Sequence, residues 1–372
     1  MGIVKSTSPW LKNLVQLALC GLLLAWIFQS IFWKEGQDAW ERDRRKPAWN
    51  ELTRWERLEI SWTHGPREVW LDMSRVRPGP FAVSVLLMGT TILLGIVRWR
   101  HVLRVHGLDL SFARAAEISL VAHFFNSFLL GAAGGDLMKA YYAARETHHK
   151  KAEAVGTVFV DRMLGLFALL VFTMVAMAAN LPLLRADSLF TKLAGVIMAM
   201  FAGCAVVLVL ALRGGVSKGL PQARAWLRRL PKGDFLERLR DSLKPFGSDR
   251  AFLLKSLSVS LLLCGVCVLH VLSLVWGLGL EVSLLHLFAI VPMITCMVVL
   301  PLTPSGLGVR ENLFVLMMAV PLIGVEHTAA LSLSLLCTAG SLFWSLVGGA
   351  VYLSLKNRHH LDELNQPEAE GG

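Results

Sequence analysis

Five stretches of this chain, residues 13–33, 193–212, 256–280, 287–309 and 328–355, contain no Asp, Glu, Lys or Arg. About 20 apolar residues in a helix cross the roughly 30 Å hydrocarbon core of a bilayer, and each stretch is about that long. Two further apolar runs carry charge: 81–97 stops at Arg98, and 154–181 contains the adjacent pair Asp161 and Arg162. Composition agrees, with 55% hydrophobic and 17% charged residues against roughly 25% charged in an ordinary soluble domain. The polar stretches between the runs, 34–80 and 213–250, are too short to hold a catalytic domain with its own core. The expectation is an all-α polytopic membrane protein, a single integral membrane domain over residues 1–372.

Soluble-enzyme chemistry has no foothold. The sequence contains no G-x-S-x-G, no Walker A, no H-E-x-x-H and no Cys/His metal spacing. No enzymatic activity, cofactor, metal or nucleic-acid partner is expected. Cys20, Cys204, Cys264, Cys267, Cys296 and Cys337 all lie inside apolar runs, where a thiol acts as a small packing group. The Cys264/Cys267 C-x-x-C sits mid-span without acidic neighbours and is read the same way. Ala18-Leu19-Cys20 is a poor lipoprotein box, because Leu19 is bulky and the apolar run continues to Phe32. It reads as an uncleaved first span.

Cytoplasmic loops of membrane proteins carry an excess of Lys and Arg. Loop 213–250 holds ten of them, Arg228 included, against four acids, whereas loop 34–80 has ten against nine. The first is therefore placed inside and the second outside. The same rule puts inside Lys5 and Lys12, the cluster Arg98, Arg100 and Arg104, the stretch from Lys139 to Lys151, and the tail with Lys356 and Arg358. Both termini are then cytoplasmic, in a bacterial inner membrane.

That placement leaves one apolar stretch, about 115–133, between two cytoplasmic segments, so it must enter the membrane and return. Gly131, Gly134 and Gly135 can break the helix, and the segment from Asp136 can come back as a half-helix. A second break, Pro301-Leu302-Thr303-Pro304-Ser305-Gly306-Leu307-Gly308, lies between 256–280 and 328–355 and would enter from the opposite face. Each break taken alone also fits a kink or a tight helix crossing. Together they predict about six full transmembrane helices plus two oppositely oriented broken or re-entrant hairpins, the pattern of an inverted-repeat transporter with its site near the midplane. In loop 34–80, Leu52, Trp55, Leu58 and Trp62 recur at helical spacing with charges between them. They predict either an amphipathic helix on the outer membrane surface or a small cap packed on the spans.

Ionisable residues inside a membrane are costly and mark pairing or ligand sites. Here they gather at the breaks: Asn126, Asp136, Lys139, Asp161 and Arg162 at the first, Arg310 and Glu311 at the second. Asp161 and Arg162 point about 100° apart on a helix, so each needs another partner. Half-helices starting near Gly134-Gly135-Asp136 and after Ser305-Gly306-Leu307-Gly308 would offer backbone N–H groups and a positive dipole end to an anion, beside Lys139, Arg162 and Arg310. Asp136 as a plain helix cap, and arginines that only tie hairpin to scaffold, fit the same residues. His123 and His270, alone in apolar runs, are read as packing histidines.

In these residues the chain resembles the transmembrane region of lysylphosphatidylglycerol synthase, which also occurs as stand-alone membrane proteins with a flippase-like domain. The resemblance rests on Asn126-Ser127-Phe128-Leu129-Leu130-Gly131 with Gly134-Gly135-Asp136 and Lys139-Ala140-Tyr141-Tyr142, then Asp161-Arg162-Met163-Leu164-Gly165, then Pro301 to Glu311. It covers roughly residues 80–355. Lys139 stands where the family often has Arg, and the last span, around Leu335-Leu336-Cys337, lacks an Arg looked for there. The resemblance implies translocation of a lipid between leaflets, with membrane lipids of anionic headgroup as partners. The soluble aminoacyl-transferase domain of the full synthases is expected to be absent, and the synthase activity with it. Two other readings stand beside this one: a secondary transporter of a small anionic solute, and a membrane scaffold for a lipid-synthesising or lipid-modifying enzyme.

Overall fold

The computed structural model describes residues 47–128, 134–146, 151–212, 249–300, 303 and 306–364, with separate positions between 22 and 41. Among these residues every regular element is helical. A short 3-10 turn, Trp49–Glu51, precedes α1 (Arg54–Ser74), α2 (Pro78–Val105), α3 (Phe112–Phe128) and α4 (Gly134–Glu146). Then come α5 (Lys151–Ala179), the short α6 (Leu181–Ala186) and α7 (Ser188–Leu212). The second half has α8 (Arg250–Gly277), α9 (Leu284–Val299), α10 (Val309–Met318) and α11 (His327–Leu364). Five of these, α2, α5, α7, α8 and α11, contain runs long and apolar enough to cross a membrane, and α9 is a shorter apolar helix. The chain is a multi-pass membrane protein.

Helices α2 and α8 form the central antiparallel pair. At one end the Arg77 N–H donates to the Gly277 carbonyl at 3.0 Å. Further along, Ser84 Oγ meets His270 Nδ1 at 2.7 Å, and Arg98 Nη1 donates to Ser260 Oγ at 3.1 Å. Beyond them Arg104 and Val105 lie opposite Asp249 and Phe252. The end that carries Arg100, Arg104 and Lys255 is here named the basic end.

Two helical hairpins fill the flanks of this pair. The described parts of the arms α3 and α4 are 17 and 13 residues long, about 25 and 20 Å of helix, less than the roughly 30 Å hydrocarbon core. Their feet adjoin the end of α2 and the start of α5, at the basic end. The arms α9 and α10, of 16 and 10 residues, adjoin the end of α8 and the start of α11, at the opposite end. The hairpins therefore enter the bundle from opposite ends, as the charge pattern predicts. Packing repeats in the same inverted sense: α3 lies on α11 and α9 on α5, while α4 adjoins α5 and α10 adjoins α11. On the first seam Ser127 Oγ and Ser345 Oγ share a hydrogen bond, and Gly348 faces the Leu120 carbonyl where a side chain would collide. On the second, Asn180 Nδ2 donates to the Leu285 carbonyl at 3.0 Å, and Thr173 Oγ1 meets Cys296 Sγ at 3.3 Å.

The outside of the bundle is apolar. Val206, Val207 and Val209 on α7 and Leu254, Leu261, Leu262 and Leu269 on α8 are exposed, as suits helices of a membrane protein facing lipid. The cysteines Cys204, Cys264, Cys267, Cys296 and Cys337 are free thiols, in keeping with packing roles. Cys20, most of the first apolar run, loop 213–248 and the tail beyond 364 fall outside the described residues.

Helix α1 differs from the pattern read at Leu52, Trp55, Leu58 and Trp62. A capping box starts it: the Glu56 N–H donates to Thr53 Oγ1, and the Thr53 N–H to Glu56 Oε2 at 2.7 Å. It runs on through Pro66 to Ser74, and its packed side is Ser61, Gly65 and Val69. Small residues four apart let Phe32 approach Gly65 and Gly36 approach Ser61. Trp55 and Trp70 point outward, 79% and 70% exposed, while Trp62 is fastened by a hydrogen bond to Gln29 Oε1 at 2.7 Å. In this arrangement α1 is a helix packed on the bundle, with a tryptophan-bearing outer face.

Candidate functional site

The charged residues of the first half converge where α2, α4 and α5 meet. Asp161, on α5, is buried between two cations. Arg98 Nε donates to its Oδ1 at 2.7 Å, and Lys139 Nζ donates to its Oδ2 at 3.1 Å. Arg98 also reaches Ser260 on α8, and Gly165 makes room for it: a Cβ at that position would stand 2.6 Å from Arg98 Nη1. The Lys139 ammonium lies over the Trp99 ring, 4.3 Å from its centroid, where the negative ring face favours a cation.

Arg162 points elsewhere, as helix geometry requires of a sequence neighbour. Its Nε stands 3.6 Å from Asp136 Oδ2, with the two side chains 42% and 30% exposed. That separation is an ion pair but longer than a hydrogen bond. The separate partners expected for Asp161 and Arg162 are thus present. These five side chains add up to one net positive charge, since Arg98, Lys139 and Arg162 face Asp136 and Asp161. They line a cavity of about 270 Å³, whose wall also includes Ser119, His123 and Asn126.

Asn126 and the glycines serve the hairpin itself. The Gly135 N–H donates to Asn126 Oδ1 at 2.9 Å, which ties α4 to α3. A Cβ on Gly135 would lie 2.0 Å from the Ala122 carbonyl oxygen, so only glycine permits the crossing. Gly134 is the first residue of α4, and Gly131 falls outside the described residues.

The second break is built from its own partners. Gly306 and Gly308 have φ of +71° and +82°, conformations that side chains disfavour. The Gly308 N–H donates to Glu311 Oε2 at 2.6 Å, and Asn312 Nδ2 donates back to the Gly308 carbonyl at 2.6 Å. Buried Glu311 also receives Arg310 Nη2 at 3.3 Å, and the same nitrogen donates to Thr338 Oγ1 on α11 at 2.5 Å. Pro301, Leu302, Pro304 and Ser305 lie outside the described residues.

Three expectations change on this geometry. Of the backbone N–H groups expected to face an anion at the two half-helix starts, that of Gly135 is used by Asn126, and at the second start the N-cap Gly308 gives its N–H to Glu311. Lys139 is held by Asp161 and Trp99, which leaves Arg162 as the more exposed cation of the first group. Arg98, assigned to the basic cytoplasmic cluster, instead sits inside the bundle on Asp161. Its signal in the sequence is modest: it follows the apolar run 81–97 directly, while the helix continues seven residues beyond it to Val105. Ser260 and Thr338, the neutral partners of the two arginines, carry no sequence signal of their own. The histidines are packing residues in the expected sense: His123 Nε2 is 3.3 Å from the Ser341 carbonyl, and His270 joins Ser84.

Two membrane proteins of Methanothermobacter thermautotrophicus, each described as a UPF0104 membrane protein, are similar to this chain. One is 25% identical over 301 residues, covering 73% of this chain and 83% of the relative. The other is 22% identical over 273 residues, covering 68% and 78%. The sequence profile of the lysylphosphatidylglycerol synthase TM region matches residues 58–349, beginning inside α1 and so earlier than the roughly 80 expected from the motifs. The match takes in α2 to α10, both hairpins and most of the spanning part of α11, and on that extent the chain belongs to the lysylphosphatidylglycerol synthase transmembrane-region family.

Proposed function

We propose that this protein moves an anionic lipid, or an anionic lipid-linked substrate, between the leaflets of a bacterial cytoplasmic membrane, with both termini inside and without catalysing a reaction. The observation that carries the reading is the half-exposed Arg162 guanidinium on a cavity whose five charged side chains leave one positive charge over. A fixed, weakly hydrated guanidinium suits a phosphate headgroup. The inverted pair of hairpins supports it, because two half-entering elements from opposite ends are an arrangement for exposing one site to either face in turn.

The test is lipid retention by the purified protein in nanodiscs of mixed phosphatidylglycerol and phosphatidylcholine, read by native mass spectrometry and by flux in reconstituted vesicles. Charge-assisted hydrogen bonds contribute about 1.5–3 kcal/mol. Arg162→Ala should therefore lower the preference for phosphatidylglycerol by about tenfold or more, with flux falling alongside. Wild-type preference and flux in that variant would overturn the reading. Arg228→Glu, in the basic loop, separates site chemistry from bulk electrostatics and should leave both unchanged.

A further inference from the structure

The charged cavity is the first of three that follow one another through the bundle. The second, about 180 Å³, is lined from α5, α8 and α9 and shares Arg98 and Arg162 with the first. The third, about 200 Å³, shares Cys267, Val291 and Thr295 with the second and reaches Arg310. Their walls differ in kind. Leu166, Leu169, Leu263, Pro292 and Val299 make the middle cavity apolar over most of its surface, with its charges at the Arg98 and Arg162 end. Gly165 keeps that end open, because any side chain there would press on the Arg98 guanidinium.

A polar solute passing such a stretch would lose its hydrogen bonds to water and find few in return. A hydrocarbon chain needs none and gains dispersion contacts along the wall. Length also fits. Ser260 beside Arg98 and His270 beside the Arg310 cavity are ten residues apart on α8, about 15 Å of helix.

We propose that the cavity between α5, α8 and α9 is a slot for one hydrocarbon chain of an anionic lipid, with Arg162 holding the headgroup at its mouth. The proposal deepens the lipid-transport reading and rests on it for the cargo. Charge complementarity selects the occupant: an arginine at the entrance and an apolar wall behind it match a molecule with an anionic head and a long apolar tail. The third cavity continues the slot toward Arg310, so that the chain stays in protein while the headgroup is held at the mouth.

Photo-crosslinking in nanodiscs tests this directly. One probe is phosphatidylglycerol with a diazirine in mid-chain, the other phosphatidylcholine with the same chain. The phosphatidylglycerol probe should label residues 263–267 of α8 and 291–295 of α9. Cys267→Trp should abolish that labelling while leaving labelling at lipid-facing Val206 and Leu262 intact. Leu166→Trp, on the opposite wall, serves the same purpose if Cys267→Trp does not fold. Labelling confined to lipid-facing positions, or slot labelling indifferent to both tryptophans, would overturn the slot. The two readings fail separately. If phosphatidylcholine labels the slot as strongly as phosphatidylglycerol, the slot stands and the anionic-headgroup reading falls. If phosphatidylglycerol is retained through Arg162 without labelling the slot, the reverse holds.

Discussion

Asp161 bridges two buried cations at once, with Arg98 on one carboxylate oxygen and Lys139 on the other. Breaking a buried pair by removing one partner costs about 3–5 kcal/mol, because the charge left behind has no compensation. Asp161→Asn is therefore expected to lower the melting temperature sharply and reduce the folded fraction in detergent, a larger effect than a loss of transport with intact protein. Adding Lys139→Met removes one orphaned cation and should recover part of the loss. An unchanged melting temperature in the single variant would show that the triad does not hold the helices together. Arg162, paired at 3.6 Å and half-exposed, should instead be replaceable at little cost in stability, which is why its effect on lipid preference is interpretable.

At the scale of elements, the first hairpin depends on a close crossing. Gly135 sits against the Ala122 carbonyl and gives its N–H to Asn126, so α3 and α4 are joined by contact and by hydrogen bond at the same residue. Gly135→Ala should push the arms apart and cost about 1–3 kcal/mol, the usual range for overpacking. Gly195→Ala on α7, where an added Cβ meets nothing within 4 Å, should stabilise slightly through helix propensity alone. Thermal melts of the two variants check the pair, and equal effects would remove the argument for a tight crossing. The glycine break was visible in the sequence, and so was the opposed entry of the hairpins. The use of the glycine N–H groups was not, because it depends on where Asn126 and Glu311 land after folding.

At the scale of the molecule, α2 with the first hairpin and α5 is matched, in the same chain order and opposite orientation, by α8 with the second hairpin and α11. The two halves share the architecture and differ in charge: the first half lines its cavity with five ionisable side chains, the second pairs Arg310 with Glu311 and Thr338. Orientation in the membrane is the remaining expectation from charge placement. A single cysteine placed in loop 213–250 should be shielded from an impermeant maleimide in intact cells, and one in loop 34–80 should react. The opposite pattern would invert the topology and with it the direction in which each hairpin opens.

Sequence alone determined the features that depend on solvent and on local geometry. Uncharged runs of membrane length must be helices in lipid, since open backbone is untenable there. Glycine and proline clusters must interrupt them, and the adjacent Asp161 and Arg162 must face different partners. Tertiary structure decided what depends on residues distant in the chain. It brought Arg98 onto Asp161 across 63 positions and Ser260 onto Arg98 across 162, turned Lys139 inward onto Trp99, and left Arg162 facing the cavity. The physical reason is that a buried charge is defined by its partners, and in this bundle those partners are supplied by other helices.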